Sequence, residues 1–337
     1  MSDALRGAVA RRALGAGVDA ATREAALAVV RAGGPSVRGL VFFGSRRTAA
    51  DPDPWSAQDF FVATRDYLGF YRSLHAAGQT RRHPRLLAAL NAAMPPSQVP
   101  VWSRRGEVGS QGLAKCAVIE LGRLGRECGP RRSDHFCAGR LFQPTAIVWA
   151  ADDEAREALV DALTSAHRET YRWARPWLPG SFDAEEFCRR LLEVSMRFEI
   201  RPETTARARA LFEAQRTELL EVYPLLLEEL AARGELAEGG GRYCLARPPG
   251  LLERLRGRLY FGWSLVRATL RWFKYVVTFE GWLDYILRKV ERRTGQTIEV
   301  SPRERRLPLL LLWGKFYRFW KTRDRSGPEV GRGTGRG

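Results

Sequence analysis

Only five cysteines and four histidines occur in the 337 residues of this chain. Cys116, Cys128, Cys137, Cys188 and Cys244 form no Cys-x-x-Cys pair and no metal-ligand spacing. An odd count without a framework excludes a disulfide scaffold and fits reduced thiols inside a cell. The scattered histidines argue against a zinc site. Long apolar runs are missing too. The charge-free stretches "LYFGWSLV" and "LPLLLLWG" have eight residues each, whereas crossing a bilayer takes about 20. The N-terminus, "MSDALRGAVARRALGAG", lacks the continuous apolar core of a secretory signal and reads as a short amphipathic helix. Acidic residues are the scarce charge: 38 against 55 basic, a formal net charge of +17. That balance calls for an anionic partner such as nucleic acid, phospholipid or nucleotide. The surplus is concentrated, with 17 Lys/Arg against 6 Asp/Glu between residues 251 and 323.

What is present is globular. The hydrophobic share of 45% supports a real core. Residues 19–33 read as an amphipathic helix ending at Gly33-Gly34, and "VRGLVFFG" (37–44) as a buried strand closed by glycine. "DFFVAT" (59–64), "QVPVWS" (98–103) and "AKCAVIEL" (114–121) read as strands, "DYLGFYRSLHAAG" (66–78) as a helix, and "GRLFQPTAIVWA" (139–150) as a turn and strand. From Asp152 the pattern is helical: a first long helix, a second over 183–199 opened by an Asp cap, and a third over 202–234 broken at Pro224. Residues 234–250 suit a loop or small β-wing, 251–323 a basic aromatic amphipathic segment, and 324–337 a disordered tail.

One stretch carries chemistry. "LVFFGSRRTAADPDPWSAQDFFV" (40–62) ends one strand in Gly44-Ser45 and opens the next with Asp59 among aromatics. This is the pattern of polymerase-β-type nucleotidyltransferases. A glycine lets the backbone approach a triphosphate, amides and the serine hydroxyl hold phosphate oxygens, and a carboxylate on the next strand binds Mg²⁺. Arg46, Arg47 and Lys115 would add positive charge. Ala57 stands where many such enzymes have the first Asp of Asp-x-Asp. Asp66, Glu120 and Asp134 are candidates for a second carboxylate by placement. An ordinary turn at Gly44-Ser45, a strand-edge Lys115 and a surface Arg140 are the alternatives to these roles.

Together, "GS…QDFFVATRD", "AKCAVIEL" and "CAGRLFQPTAIV" resemble the mitochondrial-type CDP-diacylglycerol synthases, the translocator-assembly-and-maintenance phosphatidate cytidylyltransferases. Gly44, Ser45, Asp59, Lys115 and Gly139-Arg140-Leu141 carry the match, and in that family too the strand bears one Asp. Residues 178–227 are similar to its helical second domain, so the likeness spans roughly residues 38–230. Gln143 stands where the family tends to have Lys, and the loop 104–113 is shorter. The resemblance implies an α+β fold: a nucleotidyltransferase-type mixed sheet with helices (1–150) and a winged-helix-like helical domain (151–240); the basic amphipathic segment 251–323 is larger than the family's usual single amphipathic helix. It implies a peripheral enzyme on the cytoplasmic face of an inner membrane, joining CTP and phosphatidic acid into CDP-diacylglycerol and pyrophosphate. Gly44 and Ser45 would hold the triphosphate, Asp59 Mg²⁺, and Arg46, Lys115 and Arg140 phosphate charge. Trp263, Trp272, Phe273, Trp282, Trp313 and Trp320, set among Arg and Lys, suit an anionic membrane surface. Aromatics in a helix core, or stacking on nucleic acid, are the alternatives. A nucleotidyltransferase with another acceptor, or a non-catalytic protein of this fold attached to membranes, are the other functional readings.

Overall fold

The runs that read as strands are apolar at nearly every position, so a sheet made from them must be covered on both faces. The computed structural model, which describes residues 2–48, 56–103, 112–198, 205–294, 300–301 and 303–304, has that arrangement. The chain begins with α1 (Ser2–Gly15), α2 (Ala20–Gly33), β1 (Val37–Phe43), the single turn α3 (Ser45–Thr48) and β2 (Gln58–Thr64). Helices α4 (Tyr67–Ala76) and α5 (Pro84–Ala93) lead into β3 (Ser97–Trp102) and β4 (Leu113–Glu120). Then come α6 (Leu121–Cys128), the one-turn α7 (Ala138–Leu141), β5 (Ala146–Ala150) and the long α8 (Asp153–Ala174). The strand β6 (Ser181–Phe182), α9 (Ala184–Arg197), α10 (Thr205–Leu220), α11 (Tyr223–Ala232) and the hairpin β7 (Leu236–Gly239)–β8 (Arg242–Leu245) follow, ahead of α12 (Leu251–Thr278) and α13 (Trp282–Thr294).

The five-stranded sheet has the order β3-β4-β2-β1-β5. Strands β2 and β4 are parallel and the other neighbours antiparallel, so the fold is α+β with a mixed sheet. Alternation along each strand divides the core in two. Phe42, Phe60, Val62, Cys116 and Val118 face α2, α4 and α5. Val41, Phe61, Ala117 and Ile119 face the other way and are continuous with Leu191 of α9, Tyr223 of α11 and Phe261 of α12. Residues 1–280 form one compact unit around these two layers, and residues 281–337 form a second. In the second, Tyr285 N donates to Gly281 O at 3.0 Å at the start of α13. Trp313, Trp320 and the tail 324–337 lie outside the described residues.

Local signals act where they stand. Asp152 caps α8 by accepting from Ala155 N at 2.8 Å, and Asp183 with Glu186 closes a reciprocal capping box on α9. Pro224 breaks the 202–234 pattern into α10 and α11. The turn before β5 is the helical turn α7. Two helices, α5 and α6, stand where no element was expected. All five cysteines are free, and Cys116, Cys128, Cys137 and Cys188 are buried.

Two histidines are buried without charge. Burial, aided by the charges of Arg132 and Arg140, pushes His135 down to about 3. Burial, with Arg12 nearby, pushes His167 down to about 4. An unfolded chain protonates both near pH 6.5. Between those values the unfolded state holds protons that the folded state lacks, so stability falls as pH falls from about 6.5. Each histidine contributes a slope of up to about 1.4 kcal/mol per pH unit. Denaturant titrations between pH 6.5 and 4.5 are expected to show this loss, and His167→Gln to flatten it by roughly half. An unchanged slope in the variant would rule out His167 as a source.

Candidate functional site

Register places the site at one end of the sheet. Asp59, the second residue of β2, lies opposite Phe43 across β1 and opposite Lys115 across β4. Asp59 and Phe61, two apart, share a face, as do Lys115 and Ala117. The acid and the lysine therefore emerge side by side, on the face covered by α7 and α8. Lys115 Nζ donates to Asp59 Oδ1 at 3.0 Å. Both side chains are about one-fifth exposed, so the pair is open to a ligand.

Gly44 follows β1 directly and has φ +86°. Its missing Cβ would meet Asp59 Oδ2 at 2.8 Å. Both facts demand glycine: the dihedral is unfavourable for an L side chain, and the carboxylate occupies the space. Gly44→Ala is expected to cost about 1–3 kcal/mol of stability, read as a lower denaturation midpoint. A midpoint unchanged in Gly44→Ala would contradict this.

A cavity of about 230 Å³ opens here, lined by Phe43, Gly44, Thr48, Asp59, Gln98, Lys115, Arg140, Gln143 and Pro144. Four separate segments supply Gly44, Asp59, Lys115 and Arg140. Arg140 comes from α7, its Nη1 donating to Phe136 O at 3.1 Å and its guanidinium packed 4.0 Å from the Phe136 ring centre. Gln143 Nε2 donates to Gly139 O at 3.2 Å, and Gln215 Nε2 reaches Gln143 Oε1 at 3.4 Å.

Other residues singled out in the sequence lie elsewhere. Ser45 begins α3 beside the cavity but is not part of its lining. Arg46 turns to Asp19, the N-cap of α2, at 3.0 Å. Arg47 donates to Glu218 of α10, which also holds Arg12. These two arginines brace the Gly-Ser turn between α2 and α10. The candidate second carboxylates are occupied elsewhere. Asp66 caps α4 through Gly69 N at 2.6 Å. Glu120 ends β4, five residues and about 16 Å along the strand from Lys115. Asp134 is buried against Arg267 and Arg271. Among the described residues Asp59 is thus the one carboxylate in the lining, and no group of three or more His, Cys, Asp or Glu suited to a metal occurs among them. This donor set does not suit a resident all-protein metal site. It does fit Mg²⁺ delivered on phosphates, which needs one or two carboxylates and takes its other oxygens from phosphate and water. Thr48, Gln98 and Pro144 had no signal in the sequence. Thr48 is one helical turn from Gly44, and its Oγ1 donates to Gly44 O at 3.1 Å.

A second feature sits on α12. Apart from Phe261, which is buried in the core, its inward face is polar: Tyr260, Ser264, Arg267, Arg271, Lys274 and Thr278 recur at three- and four-residue steps. Arg267 and Arg271 both donate to Asp134 Oδ2, at 2.7 and 2.6 Å. Burial by itself would raise the Asp134 carboxyl, but the charge of Arg271 and hydrogen bonds from Arg267 and Phe136 N hold it below the ordinary range. Lys274 donates to the carbonyls of Met94 and Pro96, and burial, with Arg271 and Arg267 alongside, pushes it down to about 7. The outward face is apolar: Leu252, Leu255, Leu259, Trp263, Val266, Leu270 and Phe273 are all exposed, Leu259 at 63%. The helix is inside out relative to an ordinary surface helix. No described helix is long and apolar enough to cross a membrane. No protein-family model matches the chain, and no curated protein matches it.

Proposed function

We propose that the chain is a nucleotidyltransferase that transfers CMP from CTP to phosphatidic acid at an anionic membrane surface. One observation carries this reading: Gly44, Asp59, Lys115 and Arg140, from separate segments, line a single cavity. Glycine-shaped backbone, one carboxylate and two cations are what a Mg²⁺-triphosphate requires. The volume suits the phosphates, with the nucleoside extending beyond it. Helices α9–α11 followed by the β7–β8 hairpin support a winged-helix-like second part.

In this reading a phosphate oxygen of the lipid attacks the α-phosphorus of CTP. A new P–O bond forms, the bond to the bridging oxygen breaks, and pyrophosphate leaves with that electron pair. Mg²⁺ on the triphosphate would neutralise charge and orient the α-phosphate for in-line attack. Lys115 and Arg140 would hold phosphate oxygens, Gly44 would leave room for them, and Asp59 would be the carboxylate that holds the Mg²⁺. Catalysis is then positioning and charge neutralisation, without a protein nucleophile.

The acceptor reading rests on α12. Its exposed apolar stripe runs from Leu252 to Phe273, about 32 Å along a 28-residue helix. A patch of that extent marks an interaction surface. Arg254, Arg256 and Arg258 are exposed beside it, which favours an anionic bilayer over an uncharged apolar partner. The location inferred is peripheral, on the cytoplasmic face of an inner membrane. A non-catalytic binding protein is favoured by one observation, that the lone carboxylate is already bonded to Lys115.

A pyrophosphate-release assay separates these readings. Purified protein, Mg²⁺, each of the four nucleoside triphosphates and phosphatidate in mixed micelles are combined. Release with CTP that depends on phosphatidate is expected. Release indifferent to phosphatidate would remove the lipid acceptor, and no release with any nucleotide would remove the enzyme.

A further inference from the structure

Arg140 is the cavity cation that comes from outside the sheet, and α7, which carries it, is a single turn. The segment just before α7 is bound to α12 through Arg132, Asp134 and His135. Arg132 Nε donates to Tyr260 OH at 2.8 Å, and His135 N donates to Ser264 Oγ at 3.0 Å. Asp134 takes Arg267 and Arg271 on Oδ2 while Oδ1 accepts from Phe136 N at 2.8 Å. Phe136 then serves two cations. Arg140 packs 4.0 Å from the ring centre, and Arg271 packs 4.5 Å from the same centre. The ring meets Phe61 of β2 edge-on, with centres 6.0 Å apart, and Phe61 is two residues from Asp59. Arg271 is 5% exposed, and its Nε and Nη1 have no hydrogen-bond partner among the described residues. Its guanidinium is therefore placed by Nη2, which reaches Asp134 and Pro95 O, and by the ring.

We infer that Arg271 is a positioning residue for the cavity: acting through Phe136, it fixes where the Arg140 guanidinium lies, so α12 is part of the anion site as well as its docking element. A planar guanidinium against a ring face is attracted by the ring quadrupole, and with Arg271 on the ring its freedom to tilt is small. Loss of Arg271 leaves Phe136 unsupported on the α12 side, and Arg140 then samples orientations that miss the ligand. The inference rests on the reading of the cavity as a phosphate site.

The test uses the full chain, Mg²⁺ and inorganic tripolyphosphate, with affinity measured by calorimetry. Phe136→Leu and Arg271→Met are each expected to weaken binding about tenfold, and Phe136→Tyr, which keeps the ring, to stay within about twofold. In an Arg140→Met background Arg271→Met should add nothing, because Arg271 acts through Arg140. Full additivity, or unchanged affinity in Arg271→Met, would overturn the inference. A second readout needs no ligand. The Arg140 side-chain NH resonance carries a ring-current shift from Phe136 that Arg271→Met should alter. If wild type binds no tripolyphosphate but that shift still changes, positioning stands and the phosphate reading falls. If the shift does not change, the positioning role falls by itself. Equal thermal midpoints for the two Phe136 variants would show that affinity, rather than folding, separates them.

Discussion

Asp59→Ala is expected to lower phosphatidate-dependent pyrophosphate release by about a thousandfold, with the protein still folded. The size follows from position. Among the described residues Asp59 is the one carboxylate lining the cavity, and Asp66, Glu120 and Asp134 cannot stand in. Asp66 is committed to a helix cap, Glu120 lies at the far end of its strand, and Asp134 is bound by two arginines. Fold stability should change little, because the partner lost is one partly exposed lysine, and such pairs are worth about 1 kcal/mol or less. Lys115, released from the acid, stays near the phosphates, so nucleotide binding should fall less than turnover. The measurement is turnover against substrate concentration, with circular dichroism to confirm folding. Turnover within about tenfold of wild type would remove Asp59 from the mechanism.

The second large effect belongs to α12. Leu259→Glu combined with Trp263→Glu is expected to lower partition onto anionic vesicles by at least about a hundredfold. Each apolar side chain withdrawn from the bilayer costs about 1.5 kcal/mol or more, and every 1.4 kcal/mol is tenfold. The added carboxylates are also repelled by the surface. Both residues are exposed in the folded chain, Trp263 at 55%, so thermal stability should not fall. Replacing Arg254, Arg256 and Arg258 with Gln should weaken anionic vesicles by roughly a hundredfold while leaving neutral vesicles nearly unchanged. Vesicle sedimentation reads both. Undiminished sedimentation of the double Glu variant would move the docking surface away from α12. Activity on a short-chain soluble phosphatidate should persist in that variant, which separates docking from chemistry.

Much of the fold was legible because its signals are local. Short, nearly continuous apolar runs mark β1, β2, β3 and β4, Asp152 and Asp183 mark helix starts, and Pro224 marks a break. Helices α5 and α6 were not legible. In α6, "LGRLGREC", two glycines weaken the local preference, and the helix is held by burying Leu124 and Cys128. Within the candidate site, Gly44 and Asp59 stood out because they lie fifteen positions apart, one closing an apolar run and the other opening the next. Their meeting with Lys115 and Arg140 depends on strand order, since parallel register between β2 and β4 brings Asp59 and Lys115, 56 residues apart, to one hydrogen bond. Arg46 shows the converse: nothing local says that its charge is spent on Asp19 instead of the cavity.

By itself the sequence determined a set of strands followed by helices, a Gly-Ser turn followed by an acid-bearing strand, the excess of positive charge, and an aromatic, basic C-terminal stretch. These are composition and short-range periodicity, which any reader of the chain can count. Only the tertiary structure decided which face of α12 points inward. The helix has both a polar and an apolar stripe, and the ordinary expectation buries the apolar one. Here Asp134, more than 130 residues away, supplies a buried carboxylate for Arg267 and Arg271, and the carbonyls of Met94 and Pro96 take Lys274. With those partners the charged face is the one that packs, and the leucines and Trp263 are left outside. No periodicity contains that choice, because it is made by groups elsewhere in the chain.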